Sequence, residues 1–104
     1  MIEFQQPAPL RLDLTGSLTI YEVAEAREAL LAAFAGARDG DWQLDLGAVD
    51  ELDSAGAQLL LAAQRHVREA GGALQLNRAG DAVRELLALL RLNELLPGGD
   101  AHVQ

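Results

Sequence analysis

No cysteine occurs among the 104 residues, so the chain can build neither a disulfide framework nor a thiolate metal site. Lysine is missing too, and all basic side chains are arginine. Histidine is confined to His66 and His102, too few for a zinc site unless carboxylates complete it. No apolar run reaches the roughly 18 residues that a membrane span requires, which speaks against direct membrane insertion. The amino terminus lacks the basic region and apolar stretch of a secretory leader, so the expected location is cytoplasmic. Eight basic residues stand against sixteen acidic ones, a net charge of −8. That balance opposes nucleic-acid binding, which depends on neutralising phosphates, and suits a basic partner.

What is present is a short alternation of strand and helix patterns. Ile2 and Phe4 alternate with polar residues before Pro7 and Pro9, the pattern of an edge strand. Leu10, Leu12 and Leu14 alternate with Arg11, Asp13 and Thr15 in a strand expected to end at Gly16. Thr19 and Glu22 have capping-box spacing, and Ile20, Val23, Leu30, Leu31 and Phe34 fall on one face of the helix that this box would start. Leu44 and Leu46 mark a third strand, followed by an acidic connection, Asp50-Glu51-Leu52-Asp53. A helix then runs from Ser54 to about Ala70, closed by Gly71-Gly72. Leu74 and Leu76 give a fourth strand, and a Leu-rich helix follows from about Asp81 to Arg91. The tail from Pro97 is expected to be frayed.

This order predicts an α/β fold, an open mixed sheet of four or five strands with crossover helices. Strands covered on both faces read as continuous apolar runs. Here they alternate, with Arg11, Asp13, Gln43, Asp45, Gln75 and Asn77 on the second face. The helices are therefore expected mainly on one face, leaving the other at least partly wet.

With Ser54 at zero on a helical wheel of about 100° per residue, Gly56, Leu59, Leu60, Ala63, Val67 and Ala70 gather near the opposite pole. Ser54, Ala57, Gln58, Leu61, Arg65 and Arg68 form the expected solvent face, where Leu61 has no core reason to be. Ser54 itself has two readings. It is the helix N-cap, or Asp53 caps and the Ser54 hydroxyl is left free in the first turn.

Four elements in order carry a family resemblance. Leu14-Thr15-Gly16-Ser17-Leu18 resembles the L-x-G-x-L segment near the start of STAS domains, and Leu44-Asp45-Leu46 resembles their following strand. Asp53-Ser54-Ala55-Gly56 is similar to the D-S/T-x-G signature, and Gly71-Gly72 falls at the expected helix end. The resemblance implies a single bacterial STAS domain over residues 1–104, with its core at about 10–96. It further implies a protein-binding regulatory module like the anti-sigma factor antagonists. In those proteins the serine matching Ser54 is phosphorylated by a partner kinase that is itself the anti-sigma factor, and the unphosphorylated form binds that partner. The expected partner surface is the solvent face that this serine heads, Ser54, Ala57, Gln58, Leu61 and Arg65, together with Asp53. Ala57-Gln58 departs from the Leu-Gly frequent in antagonists; Gln58 resembles STAS proteins of chemotaxis or transporter systems. The alternative is a non-switching STAS subunit of a lipid-asymmetry ABC transporter or a chemosensory complex.

Other chemistry fits poorly. His66 lies twelve residues from Ser54 on the same helix, roughly 18 Å at 1.5 Å per residue, so it cannot serve as the base of a serine hydrolase. Asp45, Asp50 and Asp53 suggest a magnesium site only if their carboxylates converge; a solvated acidic segment is the reading adopted. No catalytic residue, metal or cofactor is expected. Trp42 is read as a partly buried anchor, and Leu89 and Leu92 as leucines pointing off the buried face of their helix, covered either by packing of the terminal segment or by a partner.

Overall fold

The computed structural model describes residues 1–37 and 39–90. The expectations for the tail, Leu92, His102 and the end of the last helix at Arg91 fall outside the described residues. Seven elements follow in order: β1 (Ile2–Ala8), β2 (Arg11–Leu18), α1 (Val23–Ala35), β3 (Trp42–Leu52), α2 (Ser54–Glu69), β4 (Leu74–Asn77) and α3 (Asp81–Leu89). The strands form one sheet in the order β1-β2-β3-β4. β1 runs antiparallel to β2, while β2, β3 and β4 are parallel, so the sheet is mixed. Parallel neighbours need crossover connections, and α1 and α2 supply them.

Period-two alternation sends Leu12, Leu14, Leu44, Leu46, Leu74 and Leu76 to one face, where they join Leu30, Phe34, Leu60, Val67, Val83 and Leu87 from the three helices in one core. Trp42 is buried outright, not partly, because its ring meets Phe34 edge-on at 5.2 Å. Its indole N–H donates to the Ala37 carbonyl at 3.1 Å, which satisfies the one polar atom the burial would strand.

The opposite face is polar and carries one departure from a wet surface. Asp45 is only 4% exposed although no helix covers it. Its carboxylate accepts from Arg11 at 3.0 Å, from Arg78 at 2.8 Å and from the Gly47 N–H at 2.8 Å. Burial pushes the Asp45 pKa up, but the hydrogen bonds from Arg78 and Gly47 and the charges of Arg78 and Arg11 outweigh it and hold the carboxyl below its usual range. Two guanidinium groups thus do what a helix would otherwise do. Nearby, Asn77 donates to Gln43 at 3.0 Å.

Two strands run longer than their patterns suggest. β2 continues past Gly16 to Leu18, and β3 takes in Asp50 and Glu51, which the sequence reading had put in a connection. Gly16 is a bulge within β2, not its end: its φ is 108°, and the pairing register shifts beside it. Beyond that bulge Ser17 pairs with Glu51 and Leu18 with Leu52, which draws the acidic segment into the sheet.

Candidate functional site

The end of β3 and the start of α2 meet the end of β2, and this junction carries the sequence signature. Asp53 sits in extended backbone as the N-cap of α2, and its Oδ1 accepts the Gly56 N–H at 2.9 Å. The Gly56 hydrogen bond holds the Asp53 carboxyl below its ordinary range, against desolvation and with help from the Ile20 N–H. The cap is therefore Asp53. Ser54 is the first helical residue, exposed, and its hydroxyl makes no side-chain hydrogen bond among the described residues. Gly56 closes the motif by contact: a Cβ there would run into the Leu18 carbonyl and stand 2.8 Å from Leu52 Cδ1. The signature thus joins a carboxylate cap, a free hydroxyl and the close approach of α2 to β2.

Along α2 the buried residues are Gly56, Ala57, Leu60, Ala63, Gln64 and Val67. That stripe is turned by roughly 50° from a pole opposite Ser54. Two assignments change as a result. Ala57, expected on the solvent face, is 0% exposed and cannot touch a partner. Leu61, expected to stand clear of the core, is half-buried and packs against it. Ser54, Gln58 and Arg65 are exposed, and Asp53 is half-buried. Gln64 is buried with its Oε1 unpartnered among the described residues.

A second group at this end was missed by the sequence reading. Thr19 does not cap α1; the helix begins at Val23, after a turn. Glu22 reaches back to the Thr19 N–H at 3.0 Å and accepts the Thr19 hydroxyl at 2.6 Å, so the capping-box pair forms one turn early. The Met1 amino group donates to Glu22 at 2.7 Å; this bond and those from Thr19 bring the Glu22 pKa down to about 2. The shifted start leaves Ile20, expected to face the core, 60% exposed and Tyr21 91% exposed. The Ile20 N–H donates to Asp53 Oδ2 at 2.9 Å, so this apolar pair is tied to the cap beside Ser54. Capping-box spacing was the available signal, but it does not say whether the box lies inside the helix or in the turn before it.

The remaining candidates fall elsewhere. His66 stacks on Phe34 at a ring separation of 5.7 Å in the groove between α1 and α2. Asp45 is engaged by Arg11 and Arg78, and among the described residues no group of three histidine or acidic side chains is arranged to hold a metal. No helix among these residues is long and apolar enough to cross a membrane.

Comparison with known proteins agrees with this geometry. A family profile described as "Mlab, STAS domain" matches residues 3–97. The chain belongs to the STAS domain family. Among solved structures, the anti-sigma factor antagonist SpoIIAA in its unphosphorylated form superposes with a TM-score of 0.75 at 19% identity, covering 93% of this chain and 86% of that one. The Bacillus cell fate determinant SpoIIAA in the phosphorylated form gives 0.69 at 18% identity, over 93% and 89% of the two chains. An anti-sigma-factor antagonist (STAS) domain protein from Planctomyces limnophilus gives 0.73 at 22% identity, over 92% and 86%. At these identities the likeness speaks for the fold. No curated protein matches the sequence.

Proposed function

We propose that this chain is an anti-sigma factor antagonist-like module whose partner surface is the end of the domain around Ser54, switched off by phosphorylation of Ser54. One observation carries the reading: Asp53 holds the cap, so the exposed Ser54 hydroxyl has no structural duty to lose. The surface comprises Asp53, Ser54, Gln58 and Arg65, with Leu61 at its margin and Ile20 and Tyr21 alongside; Ala57 is left out.

The chemistry asked of this chain is small. A partner kinase moves the terminal phosphoryl group of ATP onto the Ser54 oxygen, the hydroxyl proton leaves, and ADP is released. The kinase supplies every catalytic group, and the module needs no cofactor. The product adds a charge of about −1.5 to −2 at a helix N-terminus, where the dipole accommodates it. It also adds that charge beside Asp50, Glu51 and Asp53, so a partner surface fitted to the neutral hydroxyl is repelled. The partner proposed is an anti-sigma factor kinase.

The test is a binding comparison with a purified anti-sigma factor kinase, the partner class proposed. Ser54→Ala should bind like the wild type, while Ser54→Asp should bind at least about tenfold more weakly, or roughly 1.4 kcal/mol. Equal binding by all three would remove the switch. A second reading rests on Gln58 and the family description: the same surface is held permanently by a component of a lipid-asymmetry ABC transporter or a chemosensory complex. Equal binding to such a component would favour it.

A further inference from the structure

The Asp53 carboxylate divides its two oxygens between two elements. Oδ1 caps α2 through the Gly56 N–H, and Oδ2 accepts the Ile20 N–H at 2.9 Å across thirty-three positions of sequence. An N-cap uses one oxygen, so the second bond is extra to capping. What it fixes is the turn that presents Ile20 and Tyr21. That turn is otherwise held at its flanks, by Glu22 on Thr19 and by the Glu22 N–H on the Thr19 carbonyl at 2.9 Å. The Tyr21 N–H has a longer contact to the Thr19 hydroxyl, 3.3 Å. An exposed aromatic beside an exposed isoleucine on a hydrogen-bonded turn is a preorganised contact, costing little entropy to bury against a partner.

We infer that Asp53 is the positioning residue that couples Ser54 to the Ile20–Tyr21 turn, so that a phosphate on Ser54 also releases that turn. This rests on the reading of the Ser54 end as the partner surface. A phosphate on the residue next to Asp53 places like charge beside its carboxylate and is a stronger acceptor for the α2 amides that Asp53 now holds. Asp53 gives way, and the Ile20 N–H loses its acceptor. One modification then alters both halves of the surface: it charges the helix end and frees the apolar pair from its bound-ready position.

Amide hydrogen exchange on the 15N-labelled chain tests this without any partner. Asp53→Asn separates capping from tethering. Its carbonyl oxygen can still cap Gly56, because asparagine is a good N-cap, but its NH2 cannot accept from Ile20. Exchange at Ile20 should quicken by about tenfold or more while Gly56 stays within about twofold of wild type. The same chain carrying phosphoserine at position 54 should also quicken Ile20, whereas Ser54→Ala should not. Unchanged Ile20 exchange in either Asp53→Asn or the phosphoserine protein overturns the coupling. Because phosphoserine is installed directly, the outcome does not depend on whether a kinase modifies Ser54. Failure of the coupling is therefore distinguishable from failure of the switch.

Discussion

Arg78 donates its Nε–H to Asp45 at 2.8 Å, and it does so from a left-handed backbone with φ of 57°. The guanidinium lies across Gly47, where a Cβ would stand 3.0 Å from Cζ and Nε. Residue 78 therefore spends backbone strain to let a long side chain fold back onto the bare face of the sheet. Asp45, buried without a helix above it, keeps its charge through this contact and that of Arg11.

Strain and ion pair can be separated by two substitutions. Arg78→Ala loses the pair and keeps the strained φ, and should lower stability only in part, since Arg11 still faces Asp45. Arg78→Gly loses the same pair but relieves the backbone, so it should be more stable than Arg78→Ala by about 1 kcal/mol. Urea unfolding of the two variants decides. Equal midpoints would mean that the left-handed conformation stores no strain.

Gly56 marks the closest approach of α2 to β2. Gly56→Ala drives a methyl group into the Leu18 carbonyl, which belongs to backbone and cannot rotate away. A loss of about 3 kcal/mol or more is expected, enough to threaten folding of a small domain. Gly80→Ala, with nothing within 4 Å of the new Cβ, is the control and should stay within about 1 kcal/mol of wild type. Thermal unfolding of the pair checks both, and a mild effect at Gly56 would mean that α2 can shift.

Alternation of Leu12, Leu14, Leu44 and Leu46 with polar residues was enough to read the strands, the one-sided helix layer and the polar second face. The four family motifs in order pointed to the STAS fold. What could not be read was rotation and extent. A wheel centred on Ser54 put Ala57 outside, although the neighbours of α2 turn its buried stripe toward Ala57 and Gln64. Thr19 and Glu22 form their bonds in a turn ahead of α1, and Ile20 and Tyr21, which lie in that turn, are exposed. The choice between Asp53 and Ser54 as cap was open because either side chain can accept an α2 amide; the extended backbone at Asp53 decides it.

Acid should weaken the fold through named carboxylates. Asp45 and Asp53 lie below their ordinary value of 3.8, and Glu22 is lowered from 4.5 to about 2. A depressed folded pKa gives stability that is present above the unfolded value and lost as pH falls through the folded one. Stability should therefore hold above about pH 5 and decline as pH falls toward 2. Asp45→Asn removes one contributor, so its deficit against wild type should shrink across that window. A deficit that grows on acidification would contradict the assignment of Asp45 as a paired carboxylate.

The caps give a comparison that reads the site without any partner. Asp53→Ala should cost about 0.5–2 kcal/mol, because α2 loses its N-cap. Ser54→Ala should stay within about 0.5 kcal/mol, since its hydroxyl caps nothing. Chemical denaturation of the two variants measures the difference. A cost at Ser54 matching that at Asp53 would return the hydroxyl to a structural role.

The central claim is the modification itself. Intact-protein and peptide mass spectrometry after incubation with an anti-sigma factor kinase of the proposed partner class, magnesium and ATP tests it most directly. The account predicts one added phosphate, mapped to Ser54 and abolished by Ser54→Ala, with the phosphorylated chain released from the kinase. An unmodified Ser54, or a phosphorylated chain that stays bound as tightly as before, would contradict it.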